Sequence, residues 1–583
     1  MKVRLDQFVV DPTTNILVHP QYSGFEYSDG LEAENRIYQI LLKAKDRRLF
    51  STELQNAIVD WPTEYHFSRQ RHNLLRHLSF ESSAQILELG AGCGAITRQL
   101  GETGAAVTAI EGSMSRAKCT ALRCSDLPNV RVYCGNFQQV EFSYKFDFVF
   151  LIGVLEYCPM YFEDEEPFGK CLELVKDILK PRGKLILAIE NRLGLKYFMG
   201  YSEDQTGQPY LGIQDLYTRK TAKTLGREEL HTTLIHSGFE HIEFQYPFPD
   251  YKIPNAVFTE QAFHVEGFAS GEIIRQFRSR DYLVRATPAF SENLVWPQIA
   301  SNGLIPALSN SFLVIAGMEP VVSNRNIDSL LAVVYCTDRN KEYSTETRFL
   351  LDQSDRIKVV KRLLFDEQLV HSNVVELIVR ESAYYQGTHL GADLMKRLLQ
   401  NDSQGFLALC NLWYKYVKRN GLLDSCSDSS GKSLIKPEFI DCIPANLILN
   451  KSGDGFEYID REWHYMRSYS LEMLIVRGLY QFQTANGLDD FLVSNDSAFA
   501  KLARSWLETL GILLDETLIS SFVEAEIIMC DSIYGKEVWS PIKDLRNRIN
   551  ESWARKQIRL VNHRLKQSVK RLARFAQIRR LME

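Results

Sequence analysis

The chain has 583 residues and a mass of 67.1 kDa, about four times a typical ~100–150-residue domain, so a single core is excluded and several must be sought. Its 45% hydrophobic, 11% aromatic and 24% charged residues exclude the disordered, collagenous and disulfide-scaffold classes. A net charge of only −5 argues against a basic coat for nucleic acid.

The amino terminus, MKVRLDQFVV, is charged within its first five positions and lacks the ~7–15-residue apolar stretch of a signal peptide, so secretion is not expected. Eleven cysteines without a CxxC pair fit neither a zinc site nor a disulfide framework; reduced, mostly buried thiols in a cytoplasmic protein are expected. Residues 1–80 read as a helical or lid segment. Within it, residues 61–71 (WPTEYHFSRQR) are too rich in large and polar groups for a plain linker and are suited to close over a ligand.

Residues 84–94 (AQILELGAGCG) form an apolar strand that runs into three glycines, Gly90, Gly92 and Gly94, followed by a helix-like run over 95–100. Glycines at the carboxyl end of a strand allow close backbone approach to a ligand where a helix amino terminus also points. A second strand over 106–110 ends in Glu111, ~20 positions beyond the glycines, where a carboxylate can accept from ribose hydroxyls. A strand over 146–152, a helix over 168–179, a turn at Pro181-Arg-Gly-Lys184 and a strand over 185–189 follow.

This ordered set resembles the class I S-adenosylmethionine-dependent methyltransferases, with their ExGxGxG loop, acid after strand two and LKPGG-like turn before strand five. The resemblance implies that Glu88, Gly90, Ala91, Gly92 and Gly94 lie beside the methionine part, Glu111 and Gly112 at the ribose, and Asn136 with Phe137 near the adenine. Asn136 stands where that family often has aspartate; its amide oxygen still accepts from an adenine amino group. The Asn/Asp-Pro-Pro-Tyr motif of nucleobase amino methyltransferases is absent, the chain reading Ile152-Gly-Val-Leu-Glu156, which argues against base methylation.

A long polar insert over 191–224, containing Glu203, Asp204, Arg219 and Lys220, is the natural acceptor lid, because ligands of open α/β sheets sit at the carboxyl ends of strands. No histidine stands out as a base, although folding can bring in His66, His231 or His236; an ionised phosphate acceptor needs none. The charge-free run over 293–318 contains Pro297, Pro306 and polar side chains that lipid would leave unpaired, so it reads as buried loop and strand.

Beyond a strand-rich stretch over 311–352, the turn Gln353-Ser-Asp355 leads into a strand carrying Lys361. Further on, Asn446 stands five positions after Asp441 in Asp-Cys-Ile-Pro-Ala-Asn, and a strand, a glycine turn, another strand and Asp460 follow. This spacing resembles the catalytic loop and metal-binding strand of protein-kinase-like folds, especially small-molecule and sugar kinases. The resemblance implies Asp441 as base or orienter, Lys361 on the phosphates of ATP, and Asn446 and Asp460 on Mg2+. The usual His is replaced by Phe439 and the DFG sequence by Asp460-Arg-Glu462; no glycine-rich loop precedes Lys361, and its glutamate partner is either Glu376 or Glu381. Ser429-Ser-Gly-Lys-Ser433 fails as a P-loop because the first glycine falls at Cys426.

Residues 541–583 hold thirteen Lys and Arg against three acids, a net of +10 against −15 for the rest of the chain. Ile558, Val561, Leu565, Leu572 and Phe575 form one apolar stripe suited to an anionic membrane surface, a coiled coil or an acidic partner.

The expected fold class is α/β: a Rossmann-like methyltransferase domain (81–275), a bilobal kinase-like α+β domain (285–535) and a basic amphipathic helix or coiled coil (536–583). This order resembles the bifunctional methyltransferase/kinase chain terminators of bacterial O-antigen synthesis. It implies S-adenosylmethionine, ATP and Mg2+ as cofactors and a glycan or sugar-phosphate acceptor. It also implies attachment of the tail to the anionic inner membrane surface or to a polysaccharide polymerase, with self-association through the tail open. A methyltransferase with a sugar-binding pseudokinase, or a membrane-tethered scaffold, are the alternative readings.

Overall fold

The computed structural model describes residues 2–24, 30–218, 221–283, 287–320, 328–365, 372–427, 431–450, 452–494, 496–535 and 542–549. The chain divides into two compact units, residues 1–368 with 379–386, and residues 369–378 with 387–583.

The first unit is built on one sheet of fourteen strands. In chain order these are β1 (Val9–Val10), β2 (Leu17–Val18), β3 (Gln85–Leu89), β4 (Ala106–Glu111), β5 (Val130–Cys134), β6 (Phe146–Ile152) and β7 (Leu179–Glu190). They continue as β8 (His241–Phe248), β9 (Ala256–Thr259), β10 (Ser311–Gly317), β11 (Ser329–Cys336), β12 (Thr345–Leu351), β13 (Ile357–Leu363) and β14 (Glu381–Ala383). Their order across the sheet is β14-β13-β12-β11-β9-β8-β10-β7-β6-β3-β4-β5-β2-β1.

The core of this sheet is parallel: β3 pairs with both β4 and β6, and β5 and β7 continue outward on either side. Its strands are apolar on both faces, with Ile86, Leu87, Leu89, Val149, Phe150 and Leu187 all shut off from solvent, as a sheet covered by helices on two sides requires. The chain steps from β3 to β4 and β5 in one direction and then to β6 and β7 in the other. This reversal leaves a crevice at the carboxyl ends of β3 and its neighbours.

The expected end of the first domain at residue 275 is corrected. β10, a run of buried apolar residues, inserts antiparallel between β7 and β8, pairing Ser311 with Glu190 and Leu313 with Gln245. The α/β sheet is therefore completed only at Gly317, and β9 and β11–β14 extend it as an antiparallel continuation. Lys361, on β13, thus belongs to the first unit. The hairpin expected at Gln353-Ser-Asp355 joins β12 to β13, with Asp355 at φ 55° and Asp352 accepting from the Ser354 and Arg356 amides.

Two further expectations change. The loop expected before β10 is a helix over Glu292–Ser301 with Pro297 inside it. Packing overrides the proline: the buried Trp296 donates through Nε1 to Glu292 at 3.0 Å and sets its ring 5.3 Å from that of Phe248. The amino-terminal segment supplies the expected helices, α1 (Leu31–Lys43) and α2 (Trp61–Phe67), and also lays β2 parallel against β5. On the sheet pack α3 (Ala95–Glu102), α4 (Met114–Arg123), α5 (Pro167–Ile178) and α6 (Arg227–His236).

The second unit is mainly helical: α7 (Leu390–Leu399), α8 (Ser403–Asn420), α9 (Leu471–Asn486), α10 (Ala498–Thr509) and α11 (Glu516–Tyr534). Trp413 of α8 and Trp506 of α10 stack with centroids 6.1 Å apart. The β15 (Leu447–Leu449) and β16 (Phe456–Tyr458) hairpin forms as expected. The expected bilobal domain is therefore divided differently: the strand bearing Lys361 lies in the first unit, and the Asp441 loop, its hairpin and α7–α11 lie in the second. In the tail, residues 542–549 are helical with Ile542, Leu545 and Ile549 buried, and the stripe from Ile558 to Phe575 lies outside the described residues. Among the described residues, no helix is long and apolar enough to cross a membrane.

Candidate active site

A cavity of about 410 Å³ opens at the crevice of the first unit. Its floor is the loop after β3, where Gly90, Gly92 and Gly94 take φ values of 78°, 59° and 79° that favour glycine. A Cβ at Gly90 would stand 2.5 Å from Val154 Cγ2, so glycine lets two strand ends meet beneath the cavity. Gly92 donates its amide to Glu111 Oε2 at 2.7 Å. Gly94, expected beside a cofactor, does not line the cavity: a Cβ there would lie 2.9 Å from Thr120 Cα, so this glycine serves the packing of α3 on α4.

Glu88, Ala91, Glu111, Gly112, Asn136 and Phe137 all reach the wall. Burial pushes the Glu88 carboxyl up to about 8, against the Thr97 hydroxyl that donates to it at 2.6 Å. Glu111 accepts from the amides of Gly92 and, at 2.8 Å, Ser113, and its carboxylate lies at the cavity wall. Asn136 Oδ1 accepts from the Gln138 amide at 3.0 Å, which fixes the turn carrying Phe137.

The segment suited to close over a ligand does form part of the wall through Trp61, Tyr65, His66 and Arg71. Asp60 starts α2 by accepting from the Thr63 amide at 3.0 Å. Arg71 anchors it, donating to the carbonyls of Tyr251 at 2.9 Å and Lys252 at 3.1 Å. Trp61 stacks on Tyr282 at 3.9 Å. Of the three histidines left open by the sequence, His66 reaches the cavity, while His231 and His236 sit on α6 and do not line it.

At the other end of the cavity, the carboxyl ends of β6, β7 and β8 bring together a buried charge cluster that sequence reasoning missed apart from Asp204. Glu190, the last residue of β7, accepts from Lys196 Nζ at 2.8 Å and Lys252 Nζ at 2.7 Å through one oxygen. Its other oxygen accepts from Tyr197 at 3.0 Å and Gln205 at 3.1 Å. Lys252 also pairs with Asp204, and Lys196 lies 3.5 Å from Asp204 and 3.8 Å from Asp250. Tyr282 donates to Asp250 at 2.9 Å. Burial alone would raise the Glu190 carboxyl, but the two ammoniums hold it well below the carboxylate range. A carboxylate closing the apolar run LILAI was the available signal, the same pattern that marks Glu111 on β4. The insert over 191–224 thus reaches the site through Asp204 and Gln205, while Glu203 turns aside to accept from Tyr217 at 3.1 Å; Arg219 and Lys220 lie outside the described residues.

In the second unit, the loop ahead of β15 is tied down from within. Asn446 Nδ2 donates to the Asp441 carbonyl at 3.1 Å, and Trp413 Nε1 donates to the Cys442 carbonyl at 2.9 Å. Arg477 of α9 donates to Asp441 Oδ1 at 2.7 Å and pairs with Glu526 of α11. Asp460 follows β16 with φ 52° and is exposed. Lys361 lies on β13, across from Thr347, with Glu381 opposite its neighbour Val360; Glu376 lies in the second unit and faces His464 at 3.7 Å. Among the described residues, no cluster of three or more His, Cys, Asp and Glu side chains is arranged for a metal ion.

Residues 87–187 match a family model described as a methyltransferase domain. No curated protein sequence matches the chain. Similar solved structures include Haemonchus contortus phosphoethanolamine N-methyltransferase 2 with phosphomonomethylethanolamine and S-adenosylhomocysteine, at 14% identity over 50% of this chain and 62% of that one, TM-score 0.27. The chain therefore spans less than two thirds of that protein's length. Others are the CcbJ methyltransferase of Streptomyces caelestis, at 14% over 42% and 89%, TM-score 0.26, and a TehB-like S-adenosylmethionine-dependent methyltransferase of Corynebacterium glutamicum, at 13% over 43% and 88%, TM-score 0.23. At these scores the likenesses carry no argument. The family match does, because it spans the glycine loop, Glu111, Asn136 and β6. Residues 87–187 of the first unit carry a methyltransferase domain on an α/β sheet. Its cavity suits S-adenosylmethionine: side-chain-free backbone at Gly90 and Gly92, the Glu111 carboxylate at the wall, and an aromatic edge at Phe137.

Proposed function

We propose that the chain couples this methyltransferase to a kinase-like activity on the end of a bacterial surface glycan, phosphorylating and methylating its terminal sugar in the manner of O-antigen chain termination. The observation that carries the kinase half is the Asp441–Asn446–hairpin–Asp460 arrangement, with Asn446 bonded to the Asp441 carbonyl so that both side chains issue from one braced loop. In this reading Asp441 accepts or orients the sugar hydroxyl, and Asn446 and Asp460 hold Mg2+ against the phosphates of ATP. Glu88, Gly90, Ala91 and Gly92 hold the methionine part of the methyl donor, Glu111 and Gly112 the ribose, and Asn136 with Phe137 the adenine. The bound cofactor supplies an electrophilic methyl group; the chain supplies alignment of donor and acceptor.

The net of +10 over residues 541–583 supports attachment to an anionic inner membrane face, worth ~1 kcal/mol per basic residue near the surface, with a polymerase or a second copy of the tail as competing partners. The protein is then cytoplasmic and peripheral to the plasma membrane.

One observation favours a second reading, a methyltransferase with a non-catalytic sugar-binding unit: the Asp441 carboxylate is already engaged by Arg477. The two separate in one experiment. Full-length protein is incubated with synthetic oligosaccharides, ATP and methyl donor, singly and together, and products are read by mass spectrometry. The kinase reading expects ATP-dependent phosphorylation that falls at least ~100-fold in Asp441→Ala with methyl-donor binding intact. Methylation of unphosphorylated glycan, with no phosphorylated product from the wild-type protein, replaces it with the second reading.

A further inference from the structure

The charge cluster at the β7 and β8 ends is unbalanced in a useful way. Three carboxylates, Glu190, Asp204 and Asp250, face two ammoniums, Lys196 and Lys252, so the cluster carries one surplus negative charge and becomes neutral on taking up one proton. The acceptor groups left over point the same way. Asp204 Oδ1 and Gln205 Oε1 are buried without a protein donor, and both residues line the cavity. A buried acceptor without a donor is costly, and a donor carried by a bound substrate removes that cost. Both lysines, by contrast, are committed to carboxylates, so an anionic acceptor would meet surplus negative charge and no available cation in this cluster.

We propose that Asp204 accepts the proton of a neutral, hydroxyl-bearing acceptor, so that methyl goes to a sugar hydroxyl and not to a phosphate. The acceptor O–H donates to Asp204 Oδ1. As the acceptor oxygen forms its bond to the methyl carbon, the carbon–sulfur bond breaks with its electron pair passing to sulfur, and the hydroxyl proton moves to Asp204 and then to solvent. Glu190 remains ionised against the two lysines, which holds Asp204 in place.

The groups facing Asp204 are Glu190 from β7, Lys196 and Tyr197 from the segment after it, Lys252 after β8, and Tyr282. Burial first, then Glu190, push its carboxyl up to about 6, with the lysines opposing. A base must be ionised to act, so kcat rises as pH increases through about 6 and levels above it.

The proposal rests on the methyltransferase reading of the cavity, and its acceptor class on the glycan reading. Methyl transfer to neutral oligosaccharides and to their phosphorylated counterparts is compared for full-length wild type and Asp204→Asn, a variant that leaves two carboxylates opposite two ammoniums and so a balanced cluster. Expected are transfer to the neutral set, a fall in kcat of roughly 100-fold or more in the variant, loss of the rise through pH 6, and unchanged S-adenosylhomocysteine affinity. Preference for phosphorylated acceptors, or a variant with wild-type rate and pH profile, overturns it. If no oligosaccharide is methylated the glycan reading fails, and crystals of the S-adenosylhomocysteine complex soaked in ethylene glycol or inorganic phosphate decide the subsite alone. The diol within hydrogen-bond distance of Asp204 upholds it; phosphate there, or neither molecule, overturns it.

Discussion

Gly92→Arg is expected to weaken S-adenosylmethionine binding by roughly 100-fold or more, about 2.7 kcal/mol, without unfolding the first unit. Position 92 lines the cavity at φ 59°, and a Cβ built there meets no atom closer than 3.7 Å, the nearest being Arg116 Nη2. An arginine therefore has room to leave the backbone but projects a cation beside Arg116 into the space the cofactor needs. Gly92→Ala separates the two effects. It carries only the left-handed backbone cost of about 1 kcal/mol and should keep most of the affinity. Calorimetric titration with S-adenosylhomocysteine, alongside thermal unfolding, reads both. An arginine variant that binds like wild type removes the glycine loop from the site.

Arg477→Ala should cost the second unit about 3–5 kcal/mol, the range for removing one partner of a buried ion pair. The guanidinium is buried between Asp441 and Glu526, and Glu526 also accepts from Tyr469 at 3.1 Å. Burial would lower the arginine, yet the two carboxylates hold it well above its ordinary range, so it stays charged. Without it, Glu526 is left buried beside a tyrosine with no cation. Asp441 loses the donor that sets its rotamer, so under the proposed kinase reading phosphorylation should fall along with stability. Urea unfolding followed by the fluorescence of Trp413 and Trp506 measures the first effect, and Glu526→Gln in the alanine background should recover part of it. A loss below about 1 kcal/mol would show that the triad contributes little.

What could be read in the sequence follows from how locally each feature is encoded. The β3 strand, its glycines and α3 are contiguous, and Glu111 lies at the end of the next apolar run, so this wall of the cavity was legible down to Asn136 and Phe137. The Asp441–Asp460 loop and hairpin were legible for the same reason. β10 was not, because its partners β7 and β8 are distant in sequence and an apolar run names no partner. Hence the boundary fell at 275 when the sheet closes at 317, and Lys361 joined a different unit from Asp441. Gly94 matched a binding motif yet serves packing, since spacing alone does not distinguish a glycine under a ligand from one under Thr120. The charge cluster was hidden because Glu190, Lys196 and Asp204 on one side and Asp250 and Lys252 on the other are distant in sequence and only the fold assembles them.

In the proposed mechanism one cavity holds the methyl donor at the β3–β5 ends and the acceptor at the β6–β8 ends. A crystal structure of the full chain with S-adenosylhomocysteine tests it most directly. The account predicts the adenine beside Asn136 and Phe137, the ribose hydroxyls on Glu111, and the sulfur directed toward Asp204. Adenine at the Glu190–Lys252 cluster, or a ligand bound away from the glycine loop, contradicts it.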